Sequence, residues 1–329
     1  MSSDSQSVQM AIQSLKSLLE ASIIGQADLL ERLLIALLAD GHLLVEGAPG
    51  LAKTRAIKSL AQGIEANFQR IQFTPDLLPA DITGSEIYRP ENHSFEFQHG
   101  PVFHNLVLAD EINRAPAKVQ SALLEAMAER QVTVGGKTYP LPPLFLVMAT
   151  QNPIEQEGTY PLPEAQLDRF LMHVRITYPT PAEELQILRL TRREADSSQH
   201  AQTGTDSLNK LSQTLLMQAR QSILGLYMSE DVEHYIVSLI SATRDPQKHC
   251  PAIKGWLDYG ASPRATIALD RCARAHAWLK GKDFVAPEDV QAIAFDVLRH
   301  RLIPSYQADA EGITTDRVIQ RVIETVPTP

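Results

Sequence analysis

Five short apolar runs constrain this chain more than any other feature: residues 42–46, 68–73, 106–109, 144–149 and 172–176. Each is too short for a helix, and several are separated by segments with helical spacing. Short apolar runs bounded by turn signals read as strands buried on both faces. Strands alternating with helices predict a mostly parallel sheet with helices on both sides. The helical segments include Val8, Ile12, Leu15 and Leu19 at one-face spacing, a more continuously apolar stretch at 29–38, and stretches at 53–64 and 117–130. Two segments interrupt the alternation. In 85–98, Phe95-Glu96-Phe97 follows a Pro90-Glu91-Asn92 turn signal. In 131–140, Gly135-Gly136 separates two strand-like tetrads, the pattern of a two-residue hairpin turn. Both read as β-hairpin insertions.

The pattern changes after Tyr178-Pro179-Thr180-Pro181. Beyond it the spacing predicts helices at 182–194, 230–244, 263–280 and 315–326, with another opened by Ala286-Pro287-Glu288-Asp289. Ser262 is the expected cap of the 263–280 helix, and the polar stretch 196–207 an expected flexible loop. With 329 residues the length suits two domains. The expected division is an α/β domain at 1–181 and a smaller all-helical domain at 182–329.

Chemistry concentrates between the first strand and the helix that follows. Gly47-Ala48-Pro49-Gly50-Leu51-Ala52-Lys53-Thr54 has the make-up of a phosphate-binding loop. Glycines let backbone amides approach phosphate oxygens, Lys53 would reach the β- and γ-phosphates, and the Thr54 hydroxyl would bind Mg²⁺. Ala52 stands where a second glycine is usual. A second element is the apolar strand ending in Asp110-Glu111. A carboxylate at such a strand end holds Mg²⁺ in phosphoryl-transfer enzymes, and the next can orient or deprotonate water. Taken alone, the pair equally describes two acids opening a solvated loop. A third strand leads into Thr150-Gln151-Asn152-Pro153, where Asn152 is either a γ-phosphate contact or a turn starter.

These motifs, with Asp110-Glu111-Ile112-Asn113-Arg114-Ala115-Pro116 and Pro163-Glu164-Ala165-Gln166-Leu167-Asp168-Arg169-Phe170, resemble the MoxR family of AAA+ ATPases over nearly the whole chain. Ala52 is the form usual in that family. The resemblance implies an ATP hydrolase using ATP and Mg²⁺, with a P-loop α/β core and an all-α lid. It implies that Asn152 is the sensor-1 residue and that Arg169 is an arginine finger offered to a neighbouring subunit. Arg264 would be sensor 2, reaching from the lid to the γ-phosphate, and Gly25 and Gln26 would lie against the adenine. Arg114 divides evenly between a subunit contact and a local role. The hairpins would point into a ring pore. The implied assembly is a homo-oligomer, a hexamer, that remodels or matures client proteins with a von Willebrand factor A domain partner. A magnesium-chelatase-type subunit and a DNA-associated motor share the core and are the alternatives.

Composition narrows the classes. A net charge of −9 argues against nucleic-acid binding. No apolar run reaches the ~18 residues of a membrane helix. Residues 1–8 are polar where a secretory signal would be apolar, so the expected compartment is the cytoplasm. Cys250 and Cys272 read as reduced thiols, and His93, His99 and His104 as structural or surface histidines rather than metal ligands.

Overall fold

The computed structural model describes residues 3–91, 93–153, 158–200 and 210–329. Asn92 of the expected turn lies outside them. The α/β part contains α1 (Ser3–Ser22), α2 (Ala27–Leu38), β1 (Leu43–Glu46), α3 (Lys53–Gly63), β2 (Phe68–Gln72) and α4 (Pro79–Thr83). These are followed by β3 (Gly84–Arg89), β4 (Ser94–His99), β5 (Leu106–Asp110), α5 (Ala117–Glu129), β6 (Gln131–Val134) and β7 (Lys137–Pro140). Then come β8 (Leu146–Gln151), α6 (Glu164–Leu167) and β9 (Met172–Arg175). The five apolar runs form one parallel sheet in the order β2-β5-β8-β1-β9.

Period-two burial explains why these strands read as continuous apolar runs. Leu106 and Leu108 of β5 and Leu146 and Met148 of β8 face a core shared with α1, α2 and α3. Val107, Ala109, Val147 and Ala149 face the opposite core, built on Val119, Leu123 and Met127 of α5. With both faces covered, the central strands are apolar until their carboxyl ends, where Glu46, Asp110 and Thr150 stand.

Both insertions are antiparallel hairpins, β3–β4 and β6–β7. Gly135 and Gly136 take φ of +58° and +78°, the two positive values a tight primed turn requires. The hairpins also touch each other: Phe97 stacks on Tyr139 with centroids 4.1 Å apart.

The remainder is α7 (Pro181–His200), α8 (Gln213–Leu224), β10 (Tyr227–Met228), α9 (Glu230–Arg244), α10 (Pro246–His249), β11 (Leu257–Tyr259) and α11 (Pro263–Leu279). It ends with β12 (Phe284–Val285), α12 (Pro287–Leu298), β13 (Ile303–Pro304), α13 (Tyr306–Ala310) and α14 (Thr315–Thr325). Ser262 caps α11 as expected, its hydroxyl accepting from the Arg264 amide. Three details differ from the sequence reading. α7 continues to His200 rather than ending near 194, while 201–207 of the expected loop lie outside the described residues. α8 carries Leu216, Ala219 and Ile223 into the core on one face. Two short ladders, β10–β12 and β11–β13, tie the helices together. Among the described residues no helix is long and apolar enough to cross a membrane.

Candidate functional site

Parallel strands present their carboxyl ends along one edge of the sheet, where ligands bind in open α/β folds. At that edge β1 delivers residues 47–54, β5 delivers Asp110 and Glu111, and β8 delivers Asn152. Gly47 follows β1 directly. A Cβ there would lie 2.3 Å from Cγ1 of Ile176, so the position admits no side chain. Ala48 is buried behind it. Pro49, Gly50, Leu51, Ala52, Lys53 and Thr54 line a cavity of about 410 Å³ that also meets Asp110, Glu111 and Asn152. Ala52 is the N-cap of α3 at φ +59°, ψ 16°, a left-handed conformation, and supplies no side-chain cap. The first-turn amides of α3 therefore lack a side-chain acceptor at the place where anions bind helices.

The charged groups are held by specific partners. Lys53 Nζ donates to the Gly47 carbonyl at 2.6 Å. Burial lowers the proton affinity of its ammonium, against the opposing charges of Asp110 and Glu111. Thr150 Oγ1 donates to Asp110 Oδ1 at 2.6 Å and accepts from the Glu111 amide at 2.9 Å. Arg70 Nη2 donates to Asp110 Oδ2 at 2.7 Å. Glu111 sits at φ +57°. Its Oε2 accepts from Gln72 Nε2 at 2.8 Å and from Arg114 Nη1 at 3.0 Å. Arg114 thus has a local partner three residues away.

A second, smaller slot of about 260 Å³ shares Gly50, Leu51, Ala52 and Arg55 with the first. Ile24, Gln26, Ile187 and Leu190 also line it, giving an apolar wall of the size a flat ring needs. Gln26 Nε2 is fixed to the Thr177 carbonyl at 3.1 Å, and Gly25 turns the chain beside Pro179 at φ +75°. Arg55 pairs with Glu194, linking α3 to α7 across the slot.

Arg169 and Arg264 are elsewhere. Both line a depression of about 420 Å³ with Asp40, Gly41 and His42, the residues that precede β1. The loop at 47–54 follows β1, so the two arginines and Lys53 occupy opposite ends of that strand. β1 spans about 13 Å at ~3.3 Å per residue. Arg169 Nη1 donates to the Leu124 carbonyl at 2.8 Å, and exposed Arg264 is 3.8 Å from the Asp168 carboxylate. Arg264 thus lies away from the phosphate-loop cavity of its own chain, because α11 begins at the other end of the sheet.

Sequence reasoning passed over Arg70, Gln72 and Thr150. Their signal was faint: Arg70 and Gln72 alternate with Ile71 along the edge strand β2 and with Phe73 just beyond it, and Gln72 is the register partner of Asp110. In the sequence Thr150 stands out only as the approach to Asn152. The remaining metal candidates behave as structural groups. His99 stacks on Phe103, His93 meets the Tyr88 hydroxyl, and His104 contacts the Pro101 carbonyl. Among the described residues no cluster of three His, Cys, Asp or Glu side chains can hold a metal. The hard oxygen donors Thr54 and Asp110 in the cavity fit Mg²⁺ supplied with a nucleotide, which keeps several waters and takes few protein ligands.

The sequence profile of the ATPase family associated with various cellular activities (AAA) matches residues 42–172, and that of the AAA lid domain matches 253–322. The chain is 47% identical to Chaperone MoxR1 of Mycobacterium tuberculosis, covering 93% of this chain and 79% of that one. It is 32% identical to Protein MoxR of Methylorubrum extorquens over 94% and 92% of the two chains. A crystal structure of a candidate ATPase from Cytophaga hutchinsonii superposes with a TM-score of 0.88 at 44% identity, covering 99% of this chain and 97% of that one.

Proposed function

Because this chain belongs to the MoxR family of AAA+ proteins and is an ATP hydrolase, we propose that it works as a ring in which each subunit completes its neighbour's site. One set of residues, Lys53, Thr54, Asp110, Glu111 and Asn152, binds and orients ATP within the subunit. A second set, Arg169 and Arg264, serves the ATP of the adjacent copy. The observation that carries this reading is the separation of the two sets to opposite ends of β1.

In this scheme the amides of 47–54 and the N-terminus of α3 cradle the phosphates, and the slot beside Gln26 takes the adenine. Thr54 and Asp110 would hold Mg²⁺, which when bound would neutralise charge on the phosphates. Glu111 orients and deprotonates the attacking water, and Asn152 contacts the γ-phosphate. The neighbour's Arg169 stabilises charge developing on the transferred group, a contribution of about 10³–10⁵ in rate where such fingers act. With Arg264 at the same face, sensor 2 also acts between subunits. The division near 181 is then the joint at which the lid moves.

The hairpins β3–β4 and β6–β7 transmit this cycle to a client protein, giving a chaperone-like role of the kind named for the Mycobacterium tuberculosis relative. A hexamer in the cytoplasm and a partner with a von Willebrand factor A domain complete the reading by family resemblance. Two substitutions test its core. Lys53→Ala is expected to abolish tight ATP binding, and unchanged affinity measured by titration rejects the assignment. Glu111→Gln is expected to bind ATP yet turn it over about 10²–10⁴-fold more slowly. Wild-type phosphate release from that variant removes Glu111 as the base.

A further inference from the structure

β9 is the outer strand of the sheet, so one row of its backbone groups has no neighbouring strand to pair with. The segment after α12, Arg299-His300-Arg301, sets its side chains against carbonyls of β9 and of the two residues that lead into it. Arg299 Nη1 donates to the His173 carbonyl at 2.6 Å. His300 Nε2 lies 3.1 Å from the Phe170 carbonyl. Arg301 Nη2 donates to that same carbonyl at 2.7 Å, and its Nη1 reaches the Leu171 carbonyl at 3.2 Å. Its Nε donates to Asp168 Oδ1 at 2.8 Å. All three side chains are more than nine-tenths buried, so the bonds are made in low dielectric and are costly to break.

These contacts bracket Arg169. The residue before it is held through its carboxylate and the residues after it through their carbonyls. Asp168 also accepts from Ser262 Oγ at 2.9 Å, which ties it to the cap of the helix carrying Arg264. Arg169 and Arg264 are therefore fastened to each other through Asp168, with Arg301 as the buried anchor.

We propose that Arg301 is a positioning residue: its guanidinium fixes the Asp168–Phe170 backbone so that Arg169 is presented to the neighbouring subunit's ATP in register with Arg264. The proposal rests on the reading that Arg169 acts between subunits. A planar fork holding a carboxylate and two carbonyls in different directions is a task lysine cannot reproduce. Misplacement of a catalytic group by about 1 Å can cost about 10²-fold in rate.

The test uses the full chain carrying Arg301→Lys. Affinity for a fluorescent ATP analogue is expected to stay within about twofold of wild type, because Lys53, Thr54 and Asp110 lie at the other end of β1. Turnover is expected to fall about 10²-fold. Mixing with Glu111→Gln subunits, whose Arg301 and Arg169 are intact, is expected to restore turnover at the Arg301→Lys pockets. Unchanged turnover in Arg301→Lys, with turnover lost in Arg169→Ala, overturns the positioning role while leaving the inter-subunit reading intact. Affinity and turnover falling together without recovery on mixing also overturns it, since that marks general damage. Turnover retained in Arg169→Ala sinks the underlying reading and this proposal with it. If Arg301→Lys lacks a cooperative melting transition, Asp168→Asn decides. It keeps volume and an acceptor for Ser262 but weakens the Arg301 pair. Lost turnover at wild-type affinity supports the proposal, and unchanged turnover overturns it.

Discussion

Ala52 holds a left-handed backbone, φ +59°, at the point where the phosphate loop becomes α3. That conformation costs an L-residue roughly 1–2 kcal/mol, and a β-branched side chain tolerates it worst. Ala52→Gly relieves the strain but gives the unfolded chain more freedom, an opposing effect of about 0.4–1 kcal/mol. The expected outcome is a melting temperature close to wild type for Ala52→Gly and a clear drop for Ala52→Val, read by calorimetry. Equal melting temperatures for Val and Ala contradict the strained-cap account. At this scale Gly47–Thr54 and Asp110–Glu111 were legible in the sequence, because loop and carboxylates sit at strand ends that the apolar pattern marks. Arg70 and Thr150 were not, since nothing local in β2 or β8 says which residue of another strand they will meet.

The elements carry their own electrostatics. His42, just before β1, accepts from the Val147 amide at Nδ1 and contacts the Met127 carbonyl through Nε2. Burial, with a smaller push from Arg130, holds its pKa down to about 4. The unfolded chain takes that proton at its ordinary value of 6.5, so it binds more protons than the fold between the two values. Stability is therefore expected to decline as pH falls from 6.5 towards 4. Glu46, at the far end of the same strand, behaves as the acid counterpart. Its hydrogen bond from His173 holds its pKa at about 2, so its contribution is present above 4.5 and lost as pH drops towards 2. Melting temperature against pH checks both: His42→Gln should flatten the upper window and Glu46→Gln the lower. An unaltered slope in either variant contradicts the corresponding assignment.

The hairpins are coupled at the same scale. Phe97 and Tyr139 stack at an interplanar angle of 22°, and aromatic pairs of this kind contribute about 0.5–1.5 kcal/mol beyond area burial. A double-mutant cycle with Phe97→Ala and Tyr139→Ala should return a coupling in that range, and additive losses would show the hairpins to be independent. Each hairpin was legible from its turn residues and alternation. Their mutual contact was not, because it joins residues 42 apart across two insertions with no shared periodicity. α8 was missed for a related reason: its apolar face is spaced by Gln and Arg and follows a long polar stretch.

At the scale of the molecule, the fold separates two sets of candidate catalytic residues. The carboxyl ends of β1, β5 and β8 gather the loop, the acids and Asn152 into one cavity. The opposite end of β1 exposes Arg169 and Arg264. On the proposed reading, a subunit holds half of two sites rather than the whole of one. Specific activity is therefore expected to fall on dilution through the concentration at which the assembly dissociates, followed by light scattering and phosphate release together. Activity per subunit that is constant across that range contradicts the shared site. The family resemblance carries the expectation of a finger in trans, but the placement of Arg264 beside Arg169 depended on where the lid meets the sheet, which no run of residues in either part records.

The measurement closest to the central claim is complementation in mixed rings. Arg169→Ala subunits keep an intact ATP pocket, and Glu111→Gln subunits keep an intact finger. Each alone is expected to hydrolyse ATP at a small fraction of the wild-type rate, while a mixture should turn over well above the sum of the two. A mixture no faster than that sum, with ATP bound by both variants and mixed assemblies formed, would contradict a site built from two subunits.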